Sequence, residues 1–262
     1  MFDREHRGPK CEDESSGDRI ADWLGMASAA CQSRHEEPVN AEVTLLLWWA
    51  AFAGSHMGLS SVRVRPRLVA AMGPGAYAGL YSLVALATFV PLVSVYMSHR
   101  HDGAELWNLR HVPGLLGASM WLSGACFAFS VASFFQPSPA GMGASGTARA
   151  RGLTRITRHP LFVPIAFLGL SHAAINGFAT DVIFFGGLFV YGIVGCMHQD
   201  ARKRATEDDA FRAFLDETSL LPFAAILRGR TRLVWTELPW AGMAVGIAAA
   251  IGFYRLHAWM FA

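Results

Sequence analysis

Long stretches without a charged residue divide most of this chain. Asp, Glu, Lys and Arg are missing from residues 43–62, 72–98, 112–148, 160–180, 182–199 and 238–254. A helix needs about 20 apolar residues to cross roughly 30 Å of hydrocarbon, and most of these windows reach or approach that length. The pattern therefore predicts six membrane spans, at residues 43–59, 75–97, 112–135, 161–178, 182–198 and 238–259.

These spans must be helical, because an open strand edge in lipid leaves its backbone groups without hydrogen-bond partners. We therefore predict an all-α fold, a polytopic transmembrane helical bundle of five to six spans. The composition agrees, since 53% of the residues are hydrophobic and only 16% are charged. Residues 1–40 are polar and predict a disordered N-terminal tail. A membrane domain over 41–233 and a C-terminal transmembrane helix over 234–262 complete the predicted organisation.

Basic residues gather in alternate loops, after the first, third and fifth predicted spans. They are Arg63, Arg65, Arg67, Arg149, Arg151, Arg155, Arg158, Arg202, Lys203, Arg204, Arg212, Arg228, Arg230 and Arg232. The positive-inside rule assigns these loops to the cytoplasm and both termini to the other side. We expect a multi-pass integral protein of a bacterial inner (cell) membrane. Its expected partners are the lipid bilayer and an apolar small molecule, with no nucleic acid, and its protein partners stay open.

One charged segment, residues 201–217, has a narrow apolar stripe. Phe211, Phe214 and Leu215 follow the spacing of one helix face. Such an amphipathic helix is typical of a segment that lies along a membrane surface. We therefore expect it to rest on the cytoplasmic side of the bilayer.

Four histidines lie in or at the ends of the predicted spans, namely His56, His159, His172 and His198. An ionisable ring inside a membrane is costly and is usually retained because it binds or relays something. Imidazole is a good ligand for iron, and two spans can bring one ring to each face of a porphyrin. The alternative is an interhelical hydrogen bond from each histidine, worth about 1 kcal/mol. Spacing leaves both open, and without a C-x-x-C-H motif covalent haem attachment is not indicated.

The tripeptide Arg158-His159-Pro160 precedes the fourth predicted span. Proline disfavours helix at the residue before it and suits the first turn of the helix after it. Arg158 and His159 therefore lie beside a helix start, where free amide groups favour a carboxylate or phosphate. Asp200, Arg202 and Arg204 follow the fifth span on the same side and are expected to face this group. A structural cap at the helix start is the alternative role for His159.

Several separate blocks resemble the NnrU family of integral membrane proteins, over about residues 43–232. The resemblance rests on residues 152–162, 169–172 and 176–177, on Ser55-His56 with 63–68 and 79–83, and on 218–226 with Gly229-Arg230. The family includes 15-cis-zeta-carotene isomerase of plants, and its bacterial members are associated with denitrification.

The resemblance implies haem b held by His56 and His172 as the metal ligands. His159, with Arg158 and Asp200, is implied to lie near the cofactor. The cysteine proposed as an alternative ligand in the family falls on Gly169 here, so ligand switching by that route is not available. The reaction implied is cis–trans isomerisation of an apolar polyene.

A more distant similarity is to isoprenylcysteine carboxyl methyltransferases, in which the Arg-His-Pro motif helps to bind S-adenosylmethionine. The tyrosine and glycine common after that motif are Phe162 and Pro164 here. Three hypotheses follow: a haem-dependent isomerase, a non-catalytic membrane factor supporting denitrification or respiratory enzymes, and a methyltransferase using S-adenosylmethionine. A haem absorption band distinguishes the first from the other two.

Overall fold

The computed structural model describes residues 40–141 and 148–260, and within them the chain is built from helices. The α-helices, in chain order, are α1 Ala41–Leu59, α2 Val64–Ser98, α3 Leu115–Ala132, α4 Leu153–Ile156, α5 Phe162–Ile175, α6 Ala179–Thr206, α7 Asp209–Glu217, α8 Ala224–Leu227 and α9 Trp240–Met260. Two 3-10 turns, Ser133–Phe135 and Trp235–Glu237, extend this set. The predicted all-α membrane fold is confirmed. The predicted tail, apart from Asn40, lies outside the described residues.

Each predicted span coincides with one of the six longest helices. Three of them, α2, α6 and α3 with its 3-10 extension, are long and apolar enough to cross a membrane. Helix α5 is equally apolar in character but has only 14 residues. The chain is therefore a helical membrane protein, and six as the number of spans stays a prediction.

Helix α2 begins well before the predicted span because it continues through a kink. Gly73 adopts a φ of 82° inside it, and Pro74 follows. A positive φ suits glycine, which lacks a Cβ, and proline suits the first turn of the resumed helix. The basic segment at Val64 and the apolar span thus form one bent helix.

Helix α6 lies at the centre, parallel to α1 and antiparallel to α5. At one end of the bundle, Glu42 of α1 lies close to the start of α6. Farther along both helices, the Trp49 ring of α1 packs against the Phe184 ring of α6. The approach of α5 is close, because a Cβ on Gly169 would lie 2.7 Å from the carbonyl oxygen of Phe185. Helix α3 packs on the other side of α5, and α9 packs along α3.

The two ends of the bundle differ in chemistry. We call the end at which α1 finishes, α2 begins and α6 finishes the basic end, because the arginine-rich segments lie there. At the opposite end the loop between α2 and α3 is fastened to the turn between α5 and α6. Leu106 and Ala179 donate backbone hydrogen bonds across this junction, and the Trp107 indole donates to the carbonyl of Ala174 at 3.0 Å.

The apolar stripe of α7 packs within the protein, so it does not supply the lipid contact that its pattern suggested. The position of α7 on the cytoplasmic side of the bilayer stays a prediction. Phe211, Phe214 and Leu215 are buried and pack against Ala140 and Ala150. The loop after α3 covers the stripe, so its apolar area is already removed from water within the protein.

Candidate functional site

The Arg158-His159-Pro160 turn places a buried histidine against a carboxylate. The His159 side chain is 1% exposed, and its Nε2 lies 2.8 Å from Oδ1 of Asp200 on α6. The Nε of Arg158 lies 3.5 Å from the other oxygen of that carboxylate. An ionised carboxylate only accepts hydrogen bonds, so His159 carries its proton on Nε2 and donates it. The Nδ1 of His159 is buried without a hydrogen-bond partner among the described residues.

The same turn is tied to the segment that follows α7. The backbone N–H of Arg158 donates to the carbonyl of Ser219 at 2.8 Å. The hydroxyl of Thr157 donates to the carbonyl of Leu220 at 2.7 Å. Burial lowers the pKa of the Arg158 guanidinium, and the nearby Asp200 carboxylate opposes that shift. The structure thus brings Arg158, His159 and Asp200 together, whereas Arg202 lies toward Arg65.

His56 lies near the end of α1 in an aromatic cluster shared with α2 and α6. Its ring centroid lies 4.2 Å from that of Tyr81, 5.2 Å from Phe52 and 6.1 Å from Tyr191. The Nδ1 of His56 is buried and has no hydrogen-bond partner within the described part of the chain. Aromatic rings from three helices therefore surround an imidazole with unused hydrogen-bonding capacity.

His172 lies on α5, toward the opposite end of the bundle. Its Nδ1 lies 2.9 Å from the carbonyl oxygen of Leu168 and 3.4 Å from the hydroxyl of Ser123 on α3. A carbonyl only accepts, so Nδ1 carries the proton and Nε2 keeps its lone pair. The ring centroid lies 4.7 Å from Phe185 and 6.5 Å from His257 on α9.

The two predicted iron ligands do not share a neighbouring side chain in these contacts. His56 contacts Tyr191 of α6, whereas His172 contacts Phe185 of the same helix. Those two positions are six residues apart, which corresponds to about 9 Å along a helix axis. The rings thus lie at different depths of the bundle and against different faces of α6.

The sequence profile of the NnrU protein family matches residues 44–262, which is most of the chain. The chain belongs to the NnrU family. It is 29% identical over 201 residues to the chloroplastic 15-cis-zeta-carotene isomerase of Zea mays, covering 73% of this chain and 52% of the relative. It is 28% identical over 232 residues to the enzyme of the same name from Arabidopsis thaliana, covering 82% of this chain and 60% of the relative. The chain thus spans about half to three fifths of the length of these relatives.

No solved structure matches the chain. The NnrU match contains all five predicted site residues, His56, Arg158, His159, His172 and Asp200. It also continues through α9, so the helix predicted as a separate C-terminal segment belongs to the NnrU-matched region. The imidazole of His257 on that helix is the histidine ring closest to His172 in the measured contacts.

The NnrU-matched region contains a buried carboxylate that the sequence analysis missed. Asp181 at the start of α6 is fully buried and accepts from the Tyr96 hydroxyl at 2.8 Å. Its other oxygen lies 2.7 Å from Nδ1 of His101, whose side chain is 43% exposed. The sequence does mark this position, because Asp181 is the single charged residue between two charge-free windows, at residues 160–180 and 182–199. Its partners lie 85 and 80 positions earlier, and no local pattern connects them.

Proposed function

We propose that this protein is a membrane-embedded isomerase that binds haem b and acts on an apolar polyene. Membership of the NnrU family and the two relatives named 15-cis-zeta-carotene isomerase support the isomerase part of this proposal. The observation that carries the haem part is the 2.9 Å contact between the His172 Nδ1 and the carbonyl oxygen of Leu168. This hydrogen bond leaves the Nε2 lone pair for a metal, which is the arrangement that metal-bound histidines adopt.

The donor set suits a porphyrin better than a protein-only metal centre. Within the residues that the structure describes, no group of three or more His, Cys, Asp or Glu side chains is arranged to hold a metal ion. A porphyrin supplies four nitrogen ligands itself, so one or two imidazoles complete the coordination. His172 would therefore supply an imidazole ligand to a bound haem, which would bring the iron chemistry to the site.

A second imidazole ligand has two candidates. His257 lies close, with its ring centroid 6.5 Å from that of His172. His56, the other predicted ligand, contacts a different face of α6 six residues farther along, so the described arrangement does not bring it to the same iron as His172. We propose His172 as a ligand, and the variants His56→Ala and His257→Ala decide whether either ring supplies the second one.

The side chains between α1, α2 and α6 suit an apolar, conjugated substrate. The rings of Tyr96 and Phe184 stack in parallel with centroids 4.1 Å apart. Trp49 and Phe52 continue this wall toward His56. Trp49, Tyr96 and Phe184 are buried against one another in this core, and we propose that a flat polyene binds at its edge through dispersion. When bound, the haem iron would supply the coordination or electron-transfer chemistry that lowers the barrier to rotation about a double bond. Substrate and product have the same atoms, so no external reductant or oxidant is consumed overall.

The test is an isomerisation assay with the purified full chain in detergent. A 15-cis polyene is incubated in the dark, and its isomers are separated by chromatography. The proposal expects conversion by the unaltered chain and by His111→Ala, whose ring is in an exposed loop. It expects loss of conversion in His172→Ala. Conversion at the rate of protein-free detergent in all three samples contradicts the proposed activity.

Three earlier expectations stay predictions. They are support of denitrification or respiratory enzymes without catalysis, S-adenosylmethionine as the alternative cofactor at Arg158 and His159, and residence in a bacterial inner membrane. The curated relatives are chloroplastic proteins of plants. Calorimetry with the purified chain tests the methyltransferase hypothesis, and binding of S-adenosylmethionine would favour it.

A further inference from the structure

One face of α6 packs toward α1 and α2 at the basic end of the bundle. Tyr191, His198 and Arg202 recur at spacings of seven and four residues, which puts their side chains on the same helix face. The Tyr191 ring contacts Phe52 of α1 at 4.9 Å between centroids. Arg202 lies within electrostatic range of Arg65 on α2. His198 therefore lies on this face of α6, between Tyr191 and Arg202 along the helix.

His198 has an unusual deficit of hydrogen bonds. Both of its ring nitrogens are buried without a partner among the described residues. The Nδ1 of His56, on the neighbouring α1, is in the same condition. A buried donor without an acceptor is destabilising, and such groups in native proteins point to a bound water, ion or ligand. The two imidazoles thus define a polar lining in an otherwise aromatic region.

Two guanidinium groups, of Arg65 and Arg202, lie at the basic end of the bundle near these imidazoles. The Arg65 guanidinium lies 5.6 Å above the ring of Tyr77, and Tyr77 is held in place because its hydroxyl donates to the carbonyl of Leu59. The Arg202 guanidinium lies near enough to Arg65 for electrostatic repulsion, and it is attracted by the Glu207 carboxylate that follows α6. Two like charges that approach each other favour an anion between them, and guanidinium groups suit phosphate because they bind it through two hydrogen bonds.

We propose that the basic end of the α1, α2 and α6 group is a phosphate-binding site. Arg65 and Arg202 bind the phosphate, and His198 donates a hydrogen bond to it from the floor of the site. The position favours this chemistry, because the ends of membrane helices lie at the depth of lipid headgroups. Basic pockets between membrane helices are typical sites for phosphate-bearing lipids. Free phosphate and a lipid phosphate share the chemistry, and the experiment distinguishes them.

This inference does not rest on the proposed isomerase activity or on haem. The residues that carry it are Arg65, His198 and Arg202, none of which is a predicted iron ligand. His172 lies against Phe185, thirteen residues before His198 on α6. A variant that loses phosphate binding but keeps its haem absorption band affects the phosphate site and leaves haem binding intact. A variant that loses the haem absorption band but still binds phosphate affects the proposed haem site and leaves the phosphate site intact.

The experiment measures thermal unfolding of the full chain in a neutral detergent, with two ligands at matched ionic strength. One is inorganic phosphate, and the other is a short-chain phosphatidic acid. A ligand that binds only the folded state raises the unfolding midpoint, and the rise grows with the logarithm of ligand concentration above Kd. We expect a rise of several degrees with the lipid. A rise with inorganic phosphate as well identifies free phosphate as a sufficient ligand.

The variants Arg202→Gln and Arg65→Gln are expected to lose the ligand-dependent rise, each measured against its own ligand-free midpoint. His198→Gln is expected to weaken it at least several-fold. Arg204→Gln is the matched control, since Arg204 is 57% exposed beside Asp216 and on another face of α6. Equal rises in Arg202→Gln and Arg204→Gln, or no rise with either ligand in the unaltered chain, would overturn the proposal. Arg65 is exposed, so its variant keeps the test valid if Arg202→Gln fails to fold.

Discussion

The Nε2 of His159 lies 2.8 Å from the Oδ1 of Asp200, and this contact joins the start of α5 to the end of α6. The imidazole is almost fully buried, so water cannot replace the hydrogen bond. We therefore predict that His159→Gln lowers the free energy of unfolding by about 1–3 kcal/mol, the usual cost of an unsatisfied buried group. Denaturant titration of the purified chain measures it.

A double-mutant cycle assigns the loss to the pair. His159→Gln and Asp200→Asn together should cost less than the sum of the single changes, because the second change removes a partner that is already lost. Haem content is recorded in the same samples. Unaltered stability combined with loss of haem in His159→Gln contradicts a structural role and gives His159 the cofactor role instead.

The ion pair between Arg155 and Glu237 predicts a dependence of stability on acid pH. The Nε of Arg155 lies 2.7 Å from Glu237, and this hydrogen bond lowers the pKa of the Glu237 carboxyl. A lowered folded-state pKa contributes stability that is present above the unfolded value of about 4.3 and is lost as pH falls below it. Thermal unfolding midpoints should therefore decline below about pH 4.3. The decline should be shallower in Glu237→Gln and unchanged in Asp209→Asn, whose carboxylate is 95% exposed.

Close packing of α5 on α6 makes Gly169 sensitive to a single methyl group. A Cβ there would lie 2.7 Å from the carbonyl oxygen of Phe185 and 2.9 Å from the Cβ of Leu188. We predict that Gly169→Ala destabilises the bundle by about 1–3 kcal/mol, the range typical of overpacking. Gly124→Ala on α3 is the control, because nothing lies within 4 Å of its Cβ position. Equal stability of the two variants would show that α5 and α6 are farther apart than described.

The bounds of the helices show what charge patterns can and cannot predict. The span predicted at 182–198 is observed as Ala179–Thr206, because the charged residues after the apolar segment, such as Lys203, also adopt helix. The span predicted at 161–178 ends at Ile175, since Gly177 packs directly against the backbone of Trp107. The first effect is local chemistry, and the second depends on a loop distant in sequence.

The candidate site was predictable only where its parts lie near helix ends. His159 and Asp200 were expected on one side of the bundle, and the structure brings them into contact. Arg202 was expected beside them, but the turn of α6 carries it to the other face, toward Arg65. The Tyr96 contact to Asp181 joins residues 85 positions apart, and a single sequence holds no signal for such a pair.

The most direct test of the haem proposal is the absorption spectrum of the purified full chain, before and after reduction, in His172→Ala and His111→Ala. The account predicts a haem absorption band that shifts on reduction in the unaltered chain and in His111→Ala, and a lost or displaced band in His172→Ala. The physical reason is that removing an axial imidazole changes the coordination of the iron. An identical band in both variants would contradict His172 as a ligand, and no band in the unaltered chain would contradict haem binding itself.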